Sequence, residues 1–403
     1  MKKILLLFSL FLLFVSIELK AQYIPISEEA EVSILTIGPG AQLYDKFGHS
    51  AYRVKDETTG LDLVFNYGVY DFDTPNFYTK FAQGKLLYKL DVSLYEPFFE
   101  TYKAQNRWIK EQELNLTYYQ KKNVFEFLQN NAKPENKFYK YDFFFDNCAT
   151  KIRDVLVSVL GADLKYNDAS VPEDYTFREL IQKNVYWNSW GSLGMDVAIG
   201  AVVDKKATAW EYQFLPDYVF EEAATATLQQ RGGKTPLVKK SQTLFQNSPT
   251  KEEQNFFASP LFFFGLLGVF IIIATFRDYK NKFRSRYLDV SISLITGLIG
   301  VFLLLLWVAT DHTATANNYN LLWAFPLNII LAFFAVKRQP PMWVQRYVFL
   351  LLVLLVLMTI HWITGVQVFA KAFTPMFLAL GVRYIYVIYY LKRQALPIDP
   401  DKK

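Results

Sequence analysis

Cysteine is almost absent from this sequence, which has one, Cys148, among 403 residues. A single cysteine cannot form an internal disulfide, so a scaffold held together by disulfides is excluded. Histidine is also scarce, with three residues in the whole chain. The formal net charge of +5 is small for this length and gives no sign of nucleic-acid binding, so no nucleic-acid partner is expected.

Long apolar stretches are abundant, and they lie towards the C-terminus. Up to about Ala258 the chain is mixed and rich in aromatic residues, as in a globular domain. The later stretches are each near the roughly 20 residues that cross a bilayer. There are five of them: Pro260–Phe276, Leu288–Thr310, Leu321–Val336, Tyr347–Ile363 and Phe373–Leu391. The sequence predicts these domains: a globular domain over 22–228, a polar linker over 229–259, five membrane helices over 260–392 and a tail over 393–403.

The first residues have the pattern of a secretory signal peptide. A basic start, Met1–Lys3, precedes the apolar stretch Ile4–Ile17 and the small residue Ala21. This order predicts a signal peptide over 1–21, with an uncleaved membrane anchor as the alternative. In both cases the globular domain is exported. An unpaired cysteine is unusual in an exported protein, so the free thiol of Cys148 calls for a specific explanation.

Basic residues predict how the apolar stretches are oriented. Lysines and arginines are concentrated in the loop after the first stretch, the loop after the third and the tail. By the positive-inside rule, the C-terminus is cytoplasmic and the globular domain lies on the outer side. His312 then falls near the outer face. Arg383 lies within the last stretch, where an ionisable side chain is costly and is a functional candidate by default.

The segment around Cys148 predicts a helix that begins at the cysteine. Asp146 or Asn147 can cap its free amides, and apolar residues recur at helical spacing before Gly161, which can end the helix. A thiol at a helix N-terminus has a lowered pKa, which favours a nucleophile. The alternative is that Cys148 is a small buried apolar residue.

Two strand-like runs, separated by a polar turn, predict a hairpin that brings His49 close to Asn66. If Val54 pairs with Leu61, His49 lies directly opposite Asn66 on the same face. A Cys–His pair needs a third group that fixes the imidazole tautomer, and Asn has this role in papain-like enzymes. A structural histidine is the alternative. Other groups near enough in sequence to orient His49 are Asp62, Asp71 and Asp73.

These motifs also carry a family resemblance. The segments FGHSAYRV, FNYGVYDFDTPNFYTKFAQG and YDFFFDNCATKIRD resemble the periplasmic domain of Lnb, the lipoprotein N-acyltransferases of Bacteroidota. The segment NNYNLLWAFPLN resembles the membrane part of the same family. The resemblance implies an α+β, circularly permuted papain-like domain, similar to lecithin–retinol acyltransferases, followed by a helical transmembrane bundle in the bacterial inner membrane.

The resemblance implies that Cys148 is the nucleophile and His49 the base. The implied reaction moves an acyl chain from a phospholipid to the N-terminal amine of a diacylated lipoprotein, with no metal or other cofactor. The assignment of Asn66 as the residue that orients His49 rests on the hairpin argument alone and is not implied by the resemblance. Four further residues are candidates for substrate binding: Tyr44, Asn147, His312 and Arg383.

Three other functions remain open from the residues themselves. A membrane-anchored cysteine hydrolase, such as a phospholipase, thioesterase or peptidase, would use the same Cys–His pair with water as acceptor. A non-catalytic protein would use the domain to bind lipids or lipoproteins. A transporter or sensor is disfavoured, because the apolar stretches hold few ionisable residues besides Arg383.

Overall fold

The computed structural model of the protein describes residues 23–167, 174–230, 232–249 and 254–395. The predicted signal peptide, 1–21, lies outside these ranges, as does most of the predicted tail. All structural statements below concern the described residues.

An antiparallel sheet forms the centre of the N-terminal domain. The strands of the described ranges are β1 Glu31–Ile37, β2 His49–Asp56, β3 Leu61–Val69, β4 Leu87–Leu94, β5 Ile109–Leu114, β6 Phe138–Lys140, β7 Leu164–Lys165, β8 Thr227–Gln230, β9 Gly233–Pro236 and β10 Val238–Phe245. Seven of them form one sheet in the order β10-β5-β1-β2-β3-β4-β6, and β7-β8-β9 form a smaller one. The two strands predicted around the polar turn are β2 and β3.

Helices cover the sheet and surround its edges. The helices of this domain are α1 Phe77–Ala82, α2 Tyr95–Ala104, α3 Tyr118–Asn131, α4 Cys148–Leu160, α5 Phe177–Asn184, α6 Trp190–Ala198, α7 Ala209–Tyr212 and α8 Pro216–Thr225. The main core lies between sheet and helices: Tyr52 and Phe65 from the sheet pack with Phe125 of α3 and Ile152 of α4, and all four are almost fully buried. This burial is the principal stabilising term of the domain.

Local sequence explains where several helices begin. Thr117 and Thr176 each form a capping box, with Gln120 and Glu179 respectively. Helix α4 begins at Cys148 and is followed by Gly161, which adopts a left-handed φ of 53°. The start of α4 at Cys148 agrees with the sequence-based prediction.

The predicted linker over 229–259 is wrong for its first half. Strands β8, β9 and β10 occupy this region, and β10 pairs with β5 at the edge of the main sheet. Most side chains of β10 are exposed, because an edge strand needs little apolar surface. Its polar composition therefore resembles a linker, and the globular domain extends to Phe245.

The C-terminal part is helical. Its helices are α9 Pro260–Lys280, α10 Arg286–Val308, α11 Asn328–Ala335, α12 Met342–Ile363 and α13 Thr374–Ala395. Four helical segments in the described residues are long and apolar enough to cross a membrane, namely α9, α10, α12 and the segment Lys371–Gln394. The third predicted stretch, Leu321–Val336, therefore contains a helix of only eight residues, α11, rather than one continuous helix.

The third apolar stretch is a broken segment. A 3₁₀ turn, Tyr319–Leu322, precedes α11, and Pro326 between them interrupts a continuous helix. Its two ends nevertheless contact opposite ends of the bundle: Asn320 donates to Asp196 O in the N-terminal domain, and Ala335 O accepts from Arg284 beyond α9. Irregular backbone at this depth is tolerated where protein surrounds it.

Candidate active site

Cys148 is the first residue of α4, and a hydrogen-bonded cap fixes its position. Asn147 Oδ1 accepts hydrogen bonds from the backbone amides of Ala149 and Thr150, at 2.8 and 2.9 Å. Thr150 Oγ1 accepts one from the Asn147 amide at 2.8 Å, which completes a capping box. The sulfur therefore lies at the positive end of the helix dipole.

His49 is the first residue of β2 and contacts Asn66 on β3. The distance from His49 Nε2 to Asn66 Oδ1 is 2.6 Å. The expected contact is present, although the register predicted for it was wrong, since Val54 pairs with Leu63 and not with Leu61. A shift of two residues keeps every side chain on its original face, so the two side chains still meet.

A bulge in β3 brings its backbone against Cys148. The pairing of β3 with β4 is interrupted between Asn66 and Val69. Gly68 lies in this interval with a φ of 89°, and a Cβ there would lie 3.4 Å from the Cβ of Cys148. Glycine adopts this left-handed conformation at little cost, whereas other residues do not. The bulge therefore lets the thiol lie beside the strand that carries Asn66.

Cys148 and His49 form an acid–base pair. Burial alone would raise the pKa of the Cys148 thiol, but the charge and hydrogen bond of His49 and the backbone amides of Ser50 and Ala149 lower that pKa below its ordinary value. Burial alone would lower the pKa of His49, but the Cys148 thiolate and the Asn66 hydrogen bond raise it. Both shifts favour a thiolate beside an imidazolium. Because Asn66 occupies Nε2, Nδ1 is the ring nitrogen left for the sulfur.

Both side chains line one cavity of about 650 Å³. It lies at the end of the sheet where β2 begins and next to the start of α4. Its wall is largely apolar and aromatic, and it includes Leu43, Tyr44, Phe47, Tyr70, Tyr88 and Phe214. A cavity of this size and lining suits a largely apolar ligand whose polar group lies near the Cys–His pair.

The loop that follows α10 forms one side of the cavity. Residues 311–314 line it, although they belong to the C-terminal part of the chain. Asp311 Oδ2 accepts a hydrogen bond from Lys140 Nζ at 2.9 Å, and Thr313 Oγ1 donates one to Asp142 Oδ2 at 2.6 Å. The cavity is therefore built jointly by the globular domain and by the membrane segment.

Asp142 connects this loop to the nucleophile. Its Oδ1 accepts hydrogen bonds from the amides of Phe144 and Phe145, at 2.9 and 3.1 Å, and its backbone exchanges two hydrogen bonds with Asp146. This turn leads directly into Cys148. Sequence reasoning missed the role of Thr313, because 171 residues separate it from Asp142 and no motif links them.

Two of the four predicted substrate-binding residues line the cavity with accessible side chains. Tyr44 is 71% exposed at its rim, and His312 lies on its membrane-loop side, where Nε2 is 3.1 Å from Phe81 O. Asn147 also borders the cavity, but its amide nitrogen donates to Phe143 O and Phe214 O while its oxygen caps α4. The hydrogen bonds of its side chain are therefore made within the protein, whereas the prediction assigned Asn147 to substrate binding.

Arg383 lies apart from this cavity, contrary to its prediction as a substrate-binding residue. Its guanidinium is 1% exposed and donates to Asp289 Oδ1 and to Asp278 Oδ2, both at 2.7 Å. It also donates to Ser285 O at 3.2 Å. These partners surround the loop between α9 and α10, so the buried charge joins three elements of the bundle at the end remote from the N-terminal domain.

Two further side chains, Tyr102 and Arg107, lie close to His49, and the sequence pattern gave no indication of either; the Arg107 charge lowers the pKa of His49 and so offsets part of its rise. The imidazole stacks on Tyr102 with ring centroids 5.9 Å apart, and the Arg107 guanidinium lies 4.8 Å from the centre of the same tyrosine ring. Arg107 is itself held by Gly38 O, to which its Nε donates at 2.7 Å. Both residues line the cavity. In the described ranges, no three His, Cys, Asp or Glu side chains are grouped so as to hold a metal ion.

Comparison with known proteins yields two family matches. Residues 22–183 match the Lnb N-terminal periplasmic domain, and residues 251–395 match the Lnb transmembrane domain. No curated protein and no solved structure matches the chain. The first match contains Cys148, His49 and Asn66, and the second contains the loop at 311–314 that borders their cavity.

Proposed function

The chain belongs to the Lnb family, whose members combine a periplasmic domain with a transmembrane domain, and on this premise we propose that it is a phospholipid:lipoprotein N-acyltransferase. The observation that carries the proposal is the grouping of Cys148, His49 and Asn66 in an apolar cavity bordered by a membrane-segment loop. The donor is a phospholipid, and the acceptor is the N-terminal amine of a diacylated lipoprotein. Both are anchored in a membrane, beside which this cavity lies.

The first half of the reaction acylates the enzyme. The Cys148 thiolate attacks the ester carbonyl of the phospholipid, and a carbon–sulfur bond forms. Backbone N–H groups at the start of α4 stabilise the oxyanion of the tetrahedral intermediate. When the carbon–oxygen bond breaks, the His49 imidazolium gives its proton to the leaving alkoxide. The products are a lysophospholipid and a thioester on Cys148.

The second half transfers the acyl chain. Neutral His49 takes a proton from the incoming amine as the amine attacks the thioester carbonyl. The carbon–sulfur bond breaks, an amide forms, and the thiolate–imidazolium pair is restored. Asn66 keeps the His49 ring in one orientation throughout, since it holds Nε2 while Nδ1 faces the sulfur.

A circularly permuted papain-like arrangement accommodates these residues. In such a domain the histidine precedes the cysteine in the chain, as His49 precedes Cys148, and the cysteine begins a helix that packs on a sheet. The order of elements supports this proposal together with the family resemblance. Fold alone does not determine function, so the proposal rests on the site itself.

The distribution of basic residues supports a location in the inner membrane. We infer that the C-terminus is cytoplasmic and the cavity opens on the periplasmic side, because lysines and arginines cluster in and beyond the C-terminal ends of α9, α11 and α13. In this orientation the cavity lies at the outer leaflet, where lipoproteins and phospholipids are both available.

Mass spectrometry of lipoprotein N-termini tests the proposal. The protein, or its Cys148→Ser variant, is expressed in cells that lack other N-acyltransferases. We expect a third acyl chain with the native protein and none with the variant. Triacylation by both forms would exclude Cys148 as the essential nucleophile.

The same experiment distinguishes a hydrolase. If the inserted native protein releases lysophospholipid while lipoproteins remain diacylated, water is the acceptor and the enzyme is a membrane-anchored hydrolase. If neither product appears, the acyltransferase and the hydrolase are both contradicted, and a non-catalytic binding protein is the remaining alternative.

A further inference from the structure

Several aromatic side chains, three exposed and two half-buried, lie at the edge of the cavity near the membrane segment. We call this group the aromatic rim; it consists of Tyr70, Phe72, Phe77, Tyr78 and Phe81. Phe72 is 66% exposed, Tyr78 79% and Phe81 53%. An exposed cluster of large aromatic side chains marks a surface that meets an apolar partner.

The rings of the aromatic rim continue into the cavity. Phe72 contacts Tyr70 and Phe77, with centroids 5.1 and 4.8 Å apart, and Tyr70 contacts Tyr88 at 5.4 Å. Tyr88 in turn stacks on Tyr141 at 4.3 Å. Tyr70, Phe81, Tyr88 and Tyr141 all line the cavity. An apolar path thus leads from the exposed rim to the wall around Cys148.

The aromatic rim lies against the end of a membrane-spanning helix. Asp311, three residues beyond the end of α10, donates its amide to Gln83 O at 2.8 Å, directly after α1. Gly84, with a φ of 68°, allows this approach, since a Cβ there would lie 3.1 Å from the His312 amide nitrogen. Aromatic side chains at such a depth lie where headgroups meet acyl chains.

Charge does not explain the exposure of the rim. Its neighbours in the sequence carry both signs: Asp71 and Asp73 are acidic, and Lys80 and Lys85 are basic. The apolar area is therefore the attractive feature, and a lipid surface fits it better than a charged peptide does.

We propose that the aromatic rim inserts into the outer leaflet and is the portal through which a phospholipid acyl chain reaches Cys148. The insertion follows from the geometry of the rim. The passage of the chain rests on the proposed function. The two parts therefore have separate tests.

Lipid contact is measured without any need for activity. The full-length Cys148→Ser protein has no other cysteine, so Tyr78→Cys or Tyr119→Cys introduces a single site for an environment-sensitive fluorophore. Tyr119 is a matched control because it is 75% exposed. It lies in α3, shortly after Leu114 at the end of β5, and this end of the sheet is opposite to the end that borders the cavity. Both proteins are placed in phosphatidylcholine nanodiscs with or without doxyl-labelled lipid.

We expect blue-shifted emission and quenching by doxyl lipid at position 78, and neither at position 119. Equal, water-like emission at both positions would overturn the insertion. A blue shift at position 78 that appears only after a lipopeptide is added, without quenching by doxyl lipid, would overturn the insertion and identify the rim as a protein-docking surface.

The portal is tested by comparing two acyl donors. The measured quantity is the ratio of the rate of thioester formation from bilayer phospholipid to the rate from a short-chain soluble ester. The double variant Phe72→Ser/Tyr78→Ser should lower this ratio by about tenfold. Tyr119→Ser should leave this ratio unchanged. An unchanged ratio in the rim variant would overturn the portal. If the native protein forms no thioester from either donor while position 78 is inserted, the proposed function fails and the lipid contact stands.

Discussion

Two groups of ionisable side chains in this molecule contrast in what surrounds them. Arg383 is enclosed by Asp278, Asp289 and Ser285, which accept hydrogen bonds from all three of its guanidinium nitrogens. Cys148 and His49 also pair with each other, but they open onto a cavity of about 650 Å³. Burial of a charge is therefore a weak sign of function, whereas a reactive group facing an apolar cavity is a stronger one.

The largest expected effect on activity comes from His49. His49→Ala removes the general base and should lower acyl transfer by about 10²–10⁴-fold. It also removes the charge that lowers the pKa of Cys148, so burial should raise that pKa. Because only the thiolate is alkylated, the rate of iodoacetamide labelling should move to higher pH than in the native protein. An unchanged labelling profile would show that the two side chains are not coupled.

Substitution of Arg383, in contrast, should change the stability of the protein. Arg383→Met leaves the buried carboxylates of Asp278 and Asp289 without their shortest ion pairs and should destabilise the bundle by about 3–5 kcal/mol. Thermal unfolding of the full chain in detergent measures this change. Arg393→Met is the matched control, because Arg393 is exposed on the same helix and bonds only to Tyr389 among its described contacts. A stable Arg383→Met protein that is fully inactive would break the contrast and assign Arg383 a functional role.

A smaller effect is expected at Asn66. Asn66→Ala removes a hydrogen bond to a charged imidazole, which is worth about 1.5–3 kcal/mol, or roughly 10-fold to 100-fold in rate. Since this bond raises the pKa of His49, its loss should lower that pKa and move the basic limb of the pH–rate profile to lower pH. Asn66→Asp should move the same limb to higher pH. If both variants keep the native profile, another group orients His49.

The smallest effect is expected at the junction of the two domains. Thr313→Val removes the hydrogen bond to Asp142 and should slow acyl transfer about fivefold, as expected for a loss of about 1 kcal/mol. Thr313→Ser keeps the hydroxyl and should restore the rate. If Thr313→Ser is as slow as Thr313→Val, the methyl packing matters and the hydrogen bond does not.

How much the sequence could predict depended on the range of each interaction. The α4 cap and the His49–Asn66 contact lie within short segments, so local patterns indicated them even though the hairpin register was shifted by two residues. The hydrogen bond of Thr313 joins distant segments and left no pattern. Strand β10 was missed because edge strands are polar. The helix in the third apolar stretch is shorter than predicted, because Pro326 divides the apolar run.

The central claim is that Cys148 carries an acyl thioester. Intact-protein mass spectrometry tests it after the purified chain is incubated with phospholipid vesicles in the absence of lipoprotein. We predict a mass increase equal to one acyl chain, its removal by neutral hydroxylamine, and its absence from Cys148→Ala. An adduct that persists in Cys148→Ala, or lysophospholipid release by that variant at the native rate, would contradict the account.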